Sequence, residues 1–538
     1  MTVLLHHLLT RSAERHPDRT AIVDGGERVT YGDLERHTNR LARLLLRTGL
    51  QPGDRVGVLL PKSIAAIAAF LATLKARGIY VPLDPAGPAL RIGRILERAG
   101  CRHLVTGRAL RPLLEPLAPL LARTADGGVV WTDGPMADTL PGVRHLDLAE
   151  AEALPSTPPD GSGDGEAAAH LLFTSGSTGE PKGVLIPHRS VAAFVAWANG
   201  QFERGPGDRA SCHSPLHFDL STYDIYGSLA AGGELHLCPP QLNMFPQQLC
   251  RFIRERRLTH WFSAPSVLAY VARFDAVAAG DFPELRHLLW CGEVFPVPAL
   301  RYWMERLPHA RFTNLYGPTE TTIASTWHRV EGVPAEGAPP VPIGVPCPGE
   351  RVLVLDEGDR EAATGAIGEL CIAGQGVTLG YWQDPERSAR AFPPAADGHG
   401  RMYRTGDLGR RDADGVLHFV GRVDSQIKSR GHRIELGEIE AALHAIPGIA
   451  QAAVVAVPAG DFAGTDIACA YAPRPDAELE PAALRRALAE RLPPYMLPSR
   501  WRRMETLPTN ANGKIDRPVL KAGFEAEAPG AAPAARPA

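Results

Sequence analysis

The chain has 538 residues, more than one hydrophobic core can serve, since single cores stop growing near about 250–300 residues. Its 57 basic and 60 acidic side chains leave a formal charge of -3, so no global field draws it to nucleic acid or an anionic membrane. No run approaches about 20 unbroken apolar residues, the opening MTVLLHHLLTRSAERHPD lacks the basic segment of a secretory leader, and eight scattered cysteines form neither a CxxC pair nor a zinc-like cluster. These features predict a cytoplasmic protein with reduced, buried thiols.

In chain order, leucines three and four apart over 31–48 predict a helix with one buried face. QPGDRVGVLL reads as a turn and a strand, and PKSIAAIAAFLATLKARGIYVPLD as an alanine-rich helix entered at Pro61 and followed by another strand. Such alternation predicts layered α/β units. The turn-rich STPPDGSGDGEA, 156–167, predicts a surface loop before a buried strand, AAHLLFT. A second α/β region spans about 184–330. The short strands in RVLVLD, GELCIA and VLHFVGRV then predict a small barrel or sheet layer. Residues 425–520 read as a separate α+β block with helices in ELGEIEAALHAI and EPAALRRALAERL and strands in QAAVVAVPA and DIACAYAP. The tail from 526 offers little to bury and is expected to be disordered.

Only six lysines stand among 51 arginines, and two of them, Lys182 and Lys514, occupy segments suited to a compact point charge rather than a planar fork. TSGSTGEPKG follows the AAHLLFT strand. Its glycines let backbone amides approach phosphate, Thr174, Ser175, Ser177 and Thr178 supply hydroxyls, and Lys182 can neutralise charge. The spacing is not that of a P-loop. NLYGPTETT, 314–322, offers Tyr316 for stacking and Glu320 for a divalent ion. YRTGDLGRR, 403–411, places Asp407 in an expected turn, where its carboxylate can accept both ribose hydroxyls. GRVDSQIKSRGHRIELGEIE mixes charge and glycine at the junction of the two proposed domains.

These segments, in this order, resemble the amino-acid adenylation domains of nonribosomal peptide synthesis, within the acyl-adenylate-forming superfamily. The likeness covers roughly residues 8–520, and FDLS, GELCIAGQGVTLGYW and NGKIDR narrow it to the amino-acid branch. It implies a multidomain α/β protein: an N-terminal core, 1–423, of layered α/β subdomains with a small β-barrel-like region, a mobile α+β C-terminal domain, 424–525, and a disordered tail, 526–538. It further implies ATP and Mg²⁺ as cofactors and two half-reactions. The first makes aminoacyl-AMP and pyrophosphate; the second loads the phosphopantetheine thiol of a peptidyl carrier protein.

The resemblance assigns roles residue by residue. Lys514, Lys182, Glu320 and Thr319 carry the chemistry, with Glu320 as the Mg²⁺ ligand. Thr174, Ser175, Gly176, Ser177, Thr178, Gly179, Asn314, Tyr316, Gly317, Asp407 and Arg422 hold the nucleotide. Asp424 is the hinge of the C-terminal domain. Asp219 in HFDLSTYDIYG pairs with the substrate ammonium while Lys514 meets its carboxylate, so an α-amino acid is implied. Leu220, Tyr223, Phe262, Leu289, Cys291, Leu315, Ile323 and Ala324 line the side-chain pocket. None carries a charge, so a charged substrate side chain would be penalised.

This apolar slot is similar to the pockets of free-standing prolyl-AMP ligases, which makes L-proline the first expectation, followed by cysteine, valine or another small aliphatic amino acid. Only about twenty residues follow NGKIDR, with no GGxS-type carrier site, so a separate carrier protein is expected, with an MbtH-like helper as a candidate partner. An acyl-CoA synthetase shares the fold but leaves Asp219 unexplained; a catalytically dead scaffold leaves Lys182, Glu320, Asp407 and Lys514 unexplained. His217 either lines the substrate entrance or packs.

Overall fold

Local signals place the first elements. Thr30 accepts the Asp33 N–H and caps helix Tyr31–Arg47, which buries Leu34, Leu41, Leu44 and Leu45. The alanine-rich helix is Ile64–Lys75. It starts at Ser63, whose Oγ accepts the Ala66 N–H, and not at Pro61 as expected, because the serine side chain satisfies an end amide that proline leaves open. Ten of its residues, Ala66–Lys75, are buried, as befits a helix between layers.

The computed structural model describes residues 3–527 apart from 124–126, 135–139, 160, 162, 177–179, 396–397, 399, 430, 460–464, 476 and 511–514. The chain divides into two compact units. One holds 1–85, 92–173 and 183–423; the other holds 86–91, 174–182 and 424–538.

In the first unit, a seven-stranded sheet runs in the order His145–Asp147, Gly128–Trp131, His103–Thr106, Arg55–Leu59, Ile79–Pro82, Ala168–Thr174 and Lys182–Pro187. Its interior strands are parallel, and helices cover it as layered α/β units require. A nine-stranded sheet has at its centre the parallel run Arg311–Tyr316, His287–Cys291, His260–Ser263 and Arg209–Cys212. The barrel-like region is an antiparallel four-stranded meander, Glu350–Leu355, Gly368–Gly374, Met402–Arg411 and Leu417–Arg422. Asp407 lies inside its third strand, paired with Arg422, and not in a turn. Gly406 and Gly409 read as turn residues, yet the ladder absorbs them, with a register shift between Leu408 and Gly409.

The second unit carries a three-stranded sheet, Ile449–Pro458, Thr465–Pro473 and Arg500–Arg503. Residue alternation gives it two faces. Ala452 and Val454 join a core with Ile439 and Leu443 of helix Leu436–His444, while Ala453, Val455 and Val457 pack with Leu520 and Phe524 of helix Arg517–Ala526. The expected tail thus contributes Ala526 to a helix; 528–538 lies outside the described residues. All eight cysteines are buried, and burial pushes the thiols of Cys101, Cys212, Cys238, Cys250 and Cys371 up to about 12. Among the described residues no helix is long and apolar enough to cross a membrane.

Candidate active site

In the first unit the Arg311–Tyr316 strand leaves the sheet as an excursion, 317–325, and returns antiparallel as Thr326–Val330, with Tyr316 opposite Thr326. The neck is closed by the Ser325 N–H, which donates to Tyr316 O at 2.7 Å. Gly317 is required there, since a Cβ would lie 2.6 Å from Ala324 Cα and 2.8 Å from Ser325 N. Further round, Thr322 and Ile323 have φ of 60° and 70°, a left-handed conformation that β-branched residues rarely adopt and that the surroundings must hold. The Thr322 hydroxyl donates to Gly376 O at 2.7 Å, and the Cys347 N–H donates to Ser325 O at 2.8 Å.

The excursion presents a short turn, Thr319–Thr321, in which Glu320 is fully buried. Glu320 Oε1 accepts the Tyr381 phenol at 2.9 Å, and Tyr403 Oη lies 3.5 Å from Tyr381 Oη. Sequence reasoning gave Tyr381 no role, although it lies within GELCIAGQGVTLGYW; nothing in spacing alone connects it to Glu320. Asn314 Nδ2 donates to Pro342 O at 2.8 Å.

Tyr316 and Asp407 meet directly. The phenol donates to Asp407 Oδ2 at 2.6 Å, and Arg422 pairs with Oδ1. The Asp407 N–H also donates to Thr405 Oγ1 at 2.9 Å. Burial, and then the neighbouring Asp407 charge, hold the Tyr316 phenol well above the usual tyrosine range. Each Asp407 oxygen keeps a second acceptor site beyond these partners.

The residues expected to line the side-chain pocket converge because of strand register. Phe262 pairs with Leu289, and Cys291 with Leu315. Alternation along each strand therefore sets Phe262, Leu289, Cys291 and Leu315 on one sheet face, in a core shared with Tyr223, Ile323 and Ala324; Leu220 packs against it partly buried. On the opposite face Trp261 meets Trp303 edge-on at 5.5 Å. The Tyr223 ring lies 5.5 Å from Phe194 and 6.2 Å from Phe262, with the Arg204 guanidinium 4.9 Å over it. Arg204 is a neighbour that sequence reasoning missed. Burial raises the Tyr223 phenol to about 12, and its oxygen is buried without a hydrogen-bond partner among the described residues.

Asp219 is buried at the start of helix Leu220–Ala231, where its side chain caps none of the helix N–H groups. His217 packs against the Phe218 ring at 4.8 Å, with Nε2 3.9 Å from Asp84 Oδ2.

In the second unit, Ser175 Oγ donates to Arg433 O at 2.8 Å and accepts the Glu435 N–H at 3.2 Å. The Gly176 N–H donates to Glu438 Oε2 at 3.3 Å, while Glu438 Oε1 pairs with Arg91. Thr174 ends one strand, and Lys182, buried, begins the next. Asp424 Oδ1 accepts the Gln426 N–H at 3.1 Å. Ser177, Thr178, Gly179 and Lys514 lie outside the described residues.

Residues 9–382 match the family described as AMP-binding enzyme, and 438–514 match the AMP-binding enzyme C-terminal domain. The chain belongs to the AMP-binding enzyme family. This AMP-binding enzyme is 38% identical over 537 residues to the L-proline--[L-prolyl-carrier protein] ligase of Streptomyces coelicolor, covering 97% of this chain and 96% of that protein. It is 37% identical to phosphinothricin tripeptide synthetase PhsC of Streptomyces viridochromogenes, with 96% of this chain covered but only 45% of the relative's length. Among solved structures, the adenylation domain AlmE of Vibrio cholerae, in complex with glycyl-adenosine-5'-phosphate, superimposes with a TM-score of 0.83 at 25% identity, covering 97% of each chain. The expected likeness to amino-acid adenylation domains, their α/β fold and their ligase class therefore holds.

Proposed function

We propose that this AMP-binding enzyme activates L-proline with ATP, releases pyrophosphate, and passes the prolyl group from prolyl-AMP to the phosphopantetheine thiol of a carrier protein. The observation that carries the reading is Asp219, a buried carboxylate not used as a helix cap, in a protein whose proposed pocket lining is otherwise uncharged. Such a group matches an α-ammonium, and the slot matches a compact aliphatic ring. The full-length likeness to a proline–carrier protein ligase supports the same substrate and partner.

In this reading Asp219 holds the ammonium and Lys514 meets the carboxylate as it attacks the α-phosphate. The 174–182 loop with Lys182 takes the β- and γ-phosphates, Asp407 beside Arg422 takes the ribose, and Tyr316 takes adenine, with Asn314, Gly317 and Thr319 shaping the same wall. Glu320 is a hard oxygen donor already oriented by Tyr381, and no cluster of three His, Cys, Asp or Glu side chains occurs among the described residues. That donor set fits Mg²⁺, which uses one or two carboxylates plus substrate phosphates and would neutralise phosphate charge when bound. The domain division at 423/424, with Asp424 as the hinge, a cytoplasmic location and an MbtH-like helper complete the proposal.

The test is ATP–pyrophosphate exchange across the common amino acids and a set of fatty and aryl acids, with and without a co-expressed helper. L-Proline is expected to give the highest kcat/KM, with cysteine or valine behind it. Preferential use of a fatty or aryl acid would point to an acyl-CoA synthetase.

A further inference from the structure

The strand Glu350–Leu355 opens with a carboxyl group that the chemistry above leaves unused. Glu350 Oε1 accepts the Gly376 N–H at 2.6 Å, whereas Oε2 is buried with no hydrogen-bond partner among the described residues. Burial pushes the acid up to about 7, against the opposing pull of the Gly376 N–H and of Arg189. A carboxyl held this way costs free energy, so some other interaction must retain it.

That interaction runs through Gly376. Its carbonyl accepts the Thr322 hydroxyl at 2.7 Å, and Thr322 and Ile323 are the two left-handed β-branched residues of the excursion. Gly376 has no room to give: a Cβ would lie 2.5 Å from Thr321 O and 3.1 Å from Glu350 Oε1. From the same side the Glu350 N–H donates to Cys347 O, and the Cys347 N–H to Ser325 O. A cavity of about 20 Å³, room for one water, lies between Glu350, Thr322, Ala324, Cys347 and Trp197. The Glu350–Gly376–Thr322 chain of hydrogen bonds therefore reaches the strained turn from behind.

We propose that Glu350 is a positioning residue for amino-acid selection, fixing through Gly376 the Thr322–Ile323 turn and with it the wall formed by Ile323 and Ala324. The inference rests on the reading of those two residues as substrate-pocket wall. Glu350 itself does not contact substrate; it over-determines a conformation the turn would not keep alone.

The test compares the wild-type chain with Glu350→Gln, which keeps an acceptor, Glu350→Ala, which removes it, Glu350→Met, which removes it but fills the volume, and Ile323→Ala as a control for the pocket. KM for L-proline and KM for ATP are measured by pyrophosphate exchange. Glu350→Ala and Glu350→Met are expected to raise the L-proline KM about 5–10-fold with the ATP KM changed less than about twofold, and Glu350→Gln to stay within about twofold of wild type. An unchanged L-proline KM in Glu350→Met, or an equal rise in both KM values, overturns the proposal. If Ile323→Ala shifts amino-acid preference while the Glu350 variants do not, this inference alone fails. If Ile323→Ala has no effect either, the pocket reading fails with it.

Discussion

At the scale of single residues, the end of the site proposed to take the nucleotide is a buried charge held by two different partners. Asp407 and Arg422 are both largely buried, and Tyr316 occupies the other carboxylate oxygen. Removing one member of such a pair strands the other, at about 3–5 kcal/mol. Arg422→Met is therefore expected to lower the urea midpoint and raise the ATP KM, whereas Arg422→Lys keeps the charge and loses less. Arg204 acts at the other end: with its guanidinium over Tyr223 removed in Arg204→Ala, the L-proline KM should rise and the ATP KM should not, in steady-state exchange. The motifs made Asp407, Arg422 and Tyr223 legible one at a time. The phenol on Asp407, the Tyr381 hydroxyl on Glu320 and the Arg204 ring contact were not legible, because each joins separate segments that no local spacing links.

At the scale of elements, the 317–325 excursion decides where Glu320, Ile323 and Ala324 stand. Its neck admits no side chain at residue 317, since backbone atoms of Ala324 and Ser325 lie within 3.0 Å of a Cβ there. Gly317→Ala should abolish pyrophosphate exchange, yet keep the far-ultraviolet circular dichroism of the folded chain. Gly227→Ala is expected to be milder but directed at the pocket, as its Cβ would lie 2.8 Å from the Tyr223 ring and 2.4 Å from Arg204 Nη1. Most elements, such as Ala168–Thr174 and Ile449–Pro458, follow from apolar runs between turns. The Met402–Arg411 strand did not, because glycines at 406 and 409 mimic a turn that only pairing on both sides overrides. Parallel register, which gathers Phe262, Leu289, Cys291 and Leu315, is likewise set by long-range partners and not by local sequence.

At the scale of the whole molecule, the first unit carries a store of buried neutral imidazoles. Burial lowers His170 and His260 to about 3 and His188, His213 and His287 to about 4, from an ordinary 6.5. Unfolding restores the ordinary value, so below pH 6.5 the unfolded chain binds protons that the folded chain does not. Stability is fully present above 6.5 and is lost as pH falls toward 4, at about 1.4 kcal/mol per histidine per pH unit. Thermal melts should be flat near pH 7–8 and drop steeply below 6.5; an unchanged midpoint at pH 5 would show that these rings are not held neutral. Length and a segment near 424 that mixes charge and glycine led to the expectation of at least two domains, and the proposed rotation about Asp424 predicts that Asp424→Pro slows acyl transfer to the carrier while sparing ATP binding. The central claim is that Asp219 reads a substrate ammonium, and its most direct test is pyrophosphate exchange with L-proline against tetrahydrofuran-2-carboxylate, its ring isostere without the amine. The wild-type enzyme should discriminate by at least about 100-fold, and Asp219→Ala should lose L-proline activity and most of that discrimination; equal use of the two acids by the wild-type enzyme, or full L-proline activity in Asp219→Ala, contradicts the account.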